Sequence, residues 1–266
     1  MTTLWLDGRL VDENDPAVAR LVQQSSESTA SCYTTARVTA GRAHHPDHHA
    51  RRLQRDAKAI GLGAFDPSLV FRAFEDLGRA AFADGSGIVR IEALSRARSA
   101  GTSLLATARA IGPESNRWTA ITAPMSHHGP SSLSGAKLTH QKVYEEARAA
   151  STNAGADEAL LYDGNGHLVE GASTNLLIVN RAGTLATPDL ALGAIAGIAL
   201  EIISQCTAEL SIATLDKGDI ADARELIAVN AVRGAVSIVQ LDGREIGSGT
   251  PGPWAERLDA LLADTH

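Results

Sequence analysis

The chain has 266 residues, 44% apolar and 21% charged, with a formal net charge of −7 and a sequence pI of about 5.7. That length buries a sizeable core as one large domain or two modest ones. The acidic balance offers no clustered basic surface for nucleic acid, and no apolar run reaches the length of a membrane span. Cys32 and Cys206 stand in no disulfide-framework or metal spacing. The stretch MTTLWLDGRLVDENDP has neither the basic nor the apolar region of a secretory signal, so a reducing, cytoplasmic location is expected.

Residues 3–12 alternate around Asp7-Gly8, the pattern of a short hairpin. CYTTARVT (32–39) is rich in β-branched residues and reads as a strand closed by a turn at Ala40-Gly41. Pro46-Asp47 predicts a helix with Asp47 as N-cap, running to about Ile60 and stopped by Gly61. Leu53, Ala57 and Ile60 then share its buried stripe. A second helix covers about 67–83, and strands follow near 87–94 and 102–110, so this half reads as α+β.

APMSHHGPSSLSGA (123–136), rich in Pro, Ser and Gly, is the best linker in the chain. A helix of about 140–154 follows, stopped by Gly155. Residues 157–187 read as a three-strand meander of EALLY, HLVEG and TNLLIVN, with turns at DGNG and RAG. A helix from near Gly197 to Gln205, strands at 225–230 and 236–241, and a closing helix at about 253–263 complete the pattern.

Chemistry that needs an amine nucleophile has few candidates, because the only lysines are Lys58, Lys137, Lys142 and Lys217. Lys137 lies between the glycine-rich linker and a helix. Lys142 has Glu145 and Glu146 at i+3 and i+4 and reads as a solvated helix residue. No motif surrounds Lys58 or Lys217. Glu170 ends an apolar strand between Val169 and Gly171, and periodicity alone leaves it either a surface or a buried carboxylate. HHPDHH (44–49) invites a metal reading, but a helix splays His44, His45, His48 and His49. No metal is therefore expected, and a surface turn with one packed histidine is the simpler outcome. His127-His128 lie in the linker without ligand spacing, and Thr34-Thr35 carry only a strand signal.

The segment AKLTHQKVYEEARAASTNAGADEALLYDGNGHLVEGASTNLLIVN (136–180) resembles the fold type IV pyridoxal-phosphate enzymes. These are the branched-chain aminotransferases, D-amino acid aminotransferases and aminodeoxychorismate lyases. They share a lysine, a helix ending near G-x-[DE]-E-[AV], a strand, a D-x-x-G turn, a glutamate and an [AS]-x-N-[LI] strand. The same order and spacing stand here, and the family glutamate and asparagine map to Glu170 and Asn175. YTTARV (33–38) is similar to a strand of the lyase branch. HHARRL (48–53) resembles the H-x-x-R-L string whose arginine holds the cofactor phosphate, which maps to Arg52 with His49 as its partner. TPDLALGAIAGIAL (187–200) is similar to the segment whose amides cradle that phosphate, at Gly197 and Ile198. VNAV (229–232) is similar to a late phosphate-contacting turn, at Asn230 and Ala231. The resemblance covers about residues 29–242.

It implies a D-amino acid aminotransferase-like α+β fold with a smaller N-terminal domain (1–122), a linker (123–136) and a larger C-terminal domain (137–266). Pyridoxal 5′-phosphate is then expected between the domains of a cytoplasmic homodimer. Lys137 is expected to store the cofactor aldehyde as an imine and to shuttle protons, with Glu170 keeping the pyridine nitrogen protonated. The implied reaction moves an amino group between an amino acid or amine and a 2-oxo acid. Tyr33, Arg37, Arg96 and Arg98 are candidate substrate contacts. An aminodeoxychorismate lyase, which releases pyruvate and 4-aminobenzoate, and a non-catalytic cofactor-binding relative are the alternatives. Retention of both Lys137 and Glu170 argues against the latter. The chain departs from the family at Ala199-Leu200, where an arginine often stands, at His140-Gln141, and at SRARSAG (95–101), which leaves the substrate open.

Overall fold

The computed structural model of the protein describes residues 2–27, 31–95 and 101–264. They form two compact units, Met1–Pro113 with Ala136–His140, and Glu114–Gly135 with Gln141–His266. Arg96 and Arg98 lie outside the described residues.

The first unit begins with the expected hairpin of β1 (Thr3–Leu6) and β2 (Arg9–Asp12). Helix α1 (Pro16–Glu27) follows and buries Val18 and Leu21. Val18 and Leu21, at i and i+3, form a stripe too short to stand out in the sequence beside the Gln/Ser-rich end. Next come β3 (Ser31–Thr39), β4 (Arg42–Ala43), α2 (Pro46–Ala59), α3 (Ser68–Phe82), β5 (Ser86–Ser95) and β6 (Thr102–Ala110). The strands make one antiparallel sheet in the order β2-β1-β6-β5-β3-β4. Strand alternation in β3 sends Thr34, Ala36 and Val38 into the core and leaves Tyr33, Thr35 and Arg37 on a half-buried face. Helices α2 and α3 cover the core face through Leu53, Ala57, Val70, Phe74 and Leu77.

Helix α2 starts differently from expectation. Its N-cap is His45, in the left-handed region at φ 51°, and its side chain makes no capping bond. Pro46 takes the first helical position, which suits its fixed φ, and Asp47 falls in the first turn, where its charge favours the positive end of the helix. The end is as expected: Gly61 adopts φ +76°, and the amide of Leu62 reaches back to the carbonyl of Ala57 at 2.9 Å. Leu53 and Ala57 are buried, and Ile60 packs partly against the same core. His45 and His49 are both buried, so the turn holds two packed histidines rather than one. Among the described residues, no three His, Cys, Asp or Glu side chains converge as metal ligands.

A directed hydrogen-bond chain fastens α2 to β3. Arg52 Nη2 donates to Thr34 Oγ1 at 2.6 Å, and Thr34 Oγ1 meets His49 Nδ1 at 2.6 Å. Arginine only donates, so the Thr34 oxygen accepts from Arg52 while it also bonds the His49 ring. The segment Ala136–His140 joins this unit because it continues the ladder on the start of β3. Leu138 bridges Cys32, the amide of Tyr33 donates to the carbonyl of Lys137 at 3.0 Å, and the amide of Thr139 donates to that of Ser31 at 3.0 Å.

The second unit holds β7 (Arg117–Thr122), α4 (Lys142–Ala154), β8 (Glu158–Tyr162), β9 (Leu168–Gly171), β10 (Asn175–Val179) and β11 (Leu185–Pro188). Then come α5 (Ile198–Cys206), β12 (Ser211–Ala213), α6 (Lys217–Ala221), β13 (Glu225–Asn230), β14 (Gly234–Leu241), β15 (Arg244–Glu245) and α7 (Pro253–Asp264). The sheet runs β12-β11-β10-β13-β14-β7-β8-β9, with β15 on β14.

The expected meander is not formed. β8 and β9 pair as a hairpin, but β10 leaves them and pairs with β11 and β13. The reason is burial on both faces. Leu176 and Ile178 face one core with Leu226 and Ala228, while Leu177 and Val179 face another with α5 and α7. A strand apolar on both sides needs a central place. The chain turns between β9 and β10 at Ser173-Thr174, where Glu158 accepts from both hydroxyls at 2.7 and 2.9 Å.

The buried His49 gives this fold a pH dependence. Burial first, then the charge of Arg52, holds its pKa well below the ordinary 6.5. A base depressed by folding stabilises the protein above its unfolded pKa and loses that contribution as pH falls through it. Urea denaturation should therefore show stability declining from about pH 7 to about pH 5. His49→Asn keeps an acceptor for Thr34 and cannot protonate, so it should flatten that decline. The same slope in both proteins would rule His49 out as the titrating group.

Candidate functional site

Lys137 is clamped by its backbone. Its amide donates to Asp56 Oδ2 at 2.9 Å, and its carbonyl accepts from Tyr33. Asp56 is fully buried on α2 and is held in turn by Arg55, whose Nε and Nη2 both reach Oδ1 at 2.8 Å. The Lys137 side chain is half-buried, with Nζ 5.1 Å from the centroid of the Tyr33 ring. The other lysines differ. Lys142 is 83% exposed and pairs with Glu146 at 3.3 Å. Lys58 is exposed, and Lys217 lies over Tyr162 at 5.4 Å.

Tyr33 is sandwiched further. The Arg90 guanidinium stacks 3.6 Å from its centroid and meets Glu92 at 3.4 Å, and Glu92 accepts from Thr139 Oγ1 at 3.0 Å. Tyr33, Thr35 and Arg37 of β3 thus share the half-buried face of the first sheet with Arg90 and Glu92 of β5, in the register Tyr33–Glu92, Thr35–Arg90. Arg52 stands on the core side of the same unit. It is buried, burial pulls its guanidinium down to about 10, and it stays cationic at neutral pH. Its Nε–H and the His49 Nε2 are buried without a hydrogen-bond partner among the described residues.

In the second unit Glu170 is only 2% exposed. Its Oε1 accepts from Tyr144 Oη at 2.5 Å and from the Ile195 amide at 2.9 Å. Its Oε2 lies 3.4 Å from Asn175 Nδ2, which also donates to the Ile195 carbonyl at 2.9 Å. Periodicity left Glu170 open, and the structure makes it a buried, hydrogen-bonded carboxylate. Tyr144 comes from α4, and its hydroxyl also meets His127 Nε2 at 3.1 Å.

Gly197 is the N-cap of α5 and has no side chain to cap it. A Cβ there would sit 2.0 Å from Asn175 Oδ1, so glycine is required by space. The first amides of α5, beginning at Ile198, have no partner within the helix. Asn230 folds the turn after β13 through its Oδ1, which accepts from the amides of Val232 and Arg233 at 2.9 and 2.8 Å. Its Nδ2 reaches the Ser173 carbonyl at 3.4 Å, which brings Ala231 to the end of β10.

Lys137 and Tyr33 thus meet in the first unit, with Arg52 tied to the Lys137 strand through α2. Glu170, Asn175 and Gly197 meet in the second. Asp56, Thr34, Arg90, Tyr144 and Ile195 escaped the sequence reading. The TTARV strand and the helix after Lys137 both marked the neighbourhood, but no pattern in either marks which side chain turns inward to a distant partner.

Residues 31–241 match the model of the amino-transferase class IV family. A branched-chain-amino-acid aminotransferase of Pseudomonas aeruginosa is 29% identical over 134 residues, 49% of this chain. The chain spans 42% of the length of the curated relatives it matches. A branched-chain aminotransferase of Thermoproteus uzoniensis, solved with norvaline, superposes with a TM-score of 0.82 at 24% identity, covering 98% of this chain and 93% of that one. A hypothetical aminotransferase from Mycobacterium tuberculosis, in a PLP-bound form, superposes with a TM-score of 0.83 at 19% identity, covering 99% and 98%. These likenesses establish the fold expected from the sequence, and with the family match over most of its length the chain belongs to the class IV aminotransferases.

Proposed function

We propose that the protein is a pyridoxal-phosphate-dependent transaminase that moves an amino group between an amino acid or amine and a 2-oxo acid. The observation that supports it most is the buried carboxylate of Glu170, held by donors on Oε1 at the end of a strand. Burying such a charge is costly unless it is saturated and used. The family membership and the clamped Lys137 support the same reading. The names of the relatives make branched-chain amino acids the first donors to try.

The residues present fit the cofactor. Its phosphate needs N–H donors and positive potential, and Arg52 offers a buried cation whose Nε has no acceptor among the described residues. The amides that open α5 at Gly197-Ile198 supply further donors, and the Ala231 amide in the turn after β13 would add another, since the Val232 and Arg233 amides of that turn are spent on Asn230. When bound, pyridoxal phosphate supplies an electron sink that acidifies the substrate carbon beside the amine. Lys137 would supply the amine that holds the cofactor and the base that moves the proton. Glu170 would accept from the ring nitrogen, with Asn175 fixing its second oxygen. Tyr33, Arg37 and Arg90 present an aromatic surface and two cations suited to a substrate carboxylate. We place the enzyme in the cytoplasm as a homodimer. An exposed, free Cys206 suits a reducing compartment, and no described helix is long and apolar enough to cross a membrane.

The purified protein should be yellow, and borohydride should fix the cofactor on Lys137. Peptide mapping that finds the label on Lys142 would overturn the assignment, and a donor screen with valine, leucine and a 2-oxo acid tests the reaction. Arg52→Ala should weaken cofactor binding by about 1.5–3 kcal/mol, the size of a charged hydrogen bond, or roughly tenfold to hundredfold in Kd by fluorescence titration. Glu170→Gln keeps the shape but not the charge. It should retain the visible absorbance and lose turnover by ~100-fold, about 2.7 kcal/mol in the barrier. Wild-type turnover in that variant would return Glu170 to a structural role.

A further inference from the structure

The groups behind Glu170 form a line whose proton direction the backbone dictates. The amide of Gly129 donates to His127 Nδ1 at 3.1 Å. An imidazole that accepts on Nδ1 is neutral and carries its proton on Nε2. That proton points at Tyr144 Oη, 3.1 Å away, so the phenol oxygen is already an acceptor from His127. The single phenol proton is then committed to Glu170 Oε1 at 2.5 Å. His127, Tyr144 and Glu170 are all buried, so no water competes for these bonds. The head of the line is fixed as well: the amide of His127 donates to the Tyr162 carbonyl at 2.8 Å. The helix and the loop lie close, with the His127 and Tyr144 rings 5.9 Å apart at 61°.

We infer that His127 and Tyr144 are a positioning pair that sets the charge state of Glu170, so that a proton shared with the cofactor ring stays on the ring nitrogen. The inference rests on the reading that Glu170 faces that nitrogen. Its logic is one of proton affinity. A hydrogen bond donated to a carboxylate stabilises the anion and lowers its hold on a proton. Without the phenol proton, Glu170 competes better for the shared proton and the ring drifts toward its neutral form. A pair that merely filled the core would leave that balance alone. An unaided backbone amide, that of Ile195, would remain on Oε1 in either case, so the effect of the pair is separable from simple satisfaction of the carboxylate.

The test reads the ring directly, by 15N NMR of holoenzyme reconstituted with cofactor labelled at the pyridine nitrogen. The wild type should show a protonated nitrogen. Tyr144→Phe should move the signal toward the unprotonated position, with the protonated share relative to neutral falling ~10-fold or more, the size of one charged hydrogen bond. His127→Gln can still accept from Gly129 and donate to Tyr144, and should keep the wild-type signal. His127→Leu can do neither, and should shift in the same direction as Tyr144→Phe by a smaller amount. An unshifted Tyr144→Phe overturns the inference while leaving the cofactor reading intact. If Tyr144→Phe fails to fold, the His127 variants decide, and identical signals in Gln and Leu overturn it. A wild-type protein that takes up no cofactor overturns the inference together with the function it rests on.

Discussion

A carboxylate taken out of water must be met by donors or it protonates, and the second unit is arranged around two of them. Glu158 accepts from the Ser173 hydroxyl, the Thr174 hydroxyl and the Ala159 amide, which turns the chain sharply after β9. That turn is why Gly171 is glycine: a Cβ there would lie 2.4 Å from Thr174 Oγ1. It also sends β10 away from β9 and into the centre of the sheet. Glu170, near the end of β9, pairs with Leu161 of β8 on one side only, because β9 is the edge of the sheet. Its side-chain donors come from α4, from the loop before α5 and from β10. Burial still raises the pKa of Glu158 against the pull of its donors, which marks how demanding such a site is.

The first unit solves the opposite problem, a buried cation. Arg52 is satisfied on one nitrogen by Thr34 and balanced by the buried charge of Asp56 nearby on the same helix. Asp56 in turn holds the Lys137 amide. One helix therefore carries a buried cation and fixes the backbone of Lys137. The charge of Arg52 also explains why His49 must be neutral, since a second cation in the same core has no partner. Stability and site geometry are coupled here, because changing Asp56 removes a partner from both Arg52 and Lys137.

What could be read from the sequence divides along the range of the interactions. The hairpin at Asp7-Gly8, the β3 strand and the helices near residues 46–60, 68–82 and 198–206 come from local alternation, caps and glycine stops, and the structure contains them. Lys137 and Glu170 stood out because several short motifs agreed in order. The meander over 157–187 misread adjacency in sequence as adjacency in the sheet; LLIV (176–179) is apolar at every position, which marks a central strand but not its neighbours. Strand β7 was invisible because only Ala120 in it is buried, and its place comes from parallel partners far along the chain. Tyr144 and Asp56 were invisible for a related reason. Their partners lie 26 and 81 residues away, and a long-range side-chain bond leaves no period to detect.

Each unit holds a buried histidine in a hydrogen-bond line that starts from a fixed donor: Arg52 acting through Thr34 in the first, the Gly129 amide in the second. In the second unit that donor meets the ring itself, so His127 carries its proton on Nε2 and every later proton in the line has one place to be. In the first unit the result is a buried Arg52 Nε–H with no acceptor among the described residues. In the second it is a phenol proton donated to the Glu170 carboxylate. The two outcomes have opposite chemical preference. A buried guanidinium N–H without an acceptor selects an anion such as a phosphate. A carboxylate stabilised as an anion, with its proton affinity lowered, selects a partner that brings its own proton, such as a protonated ring nitrogen.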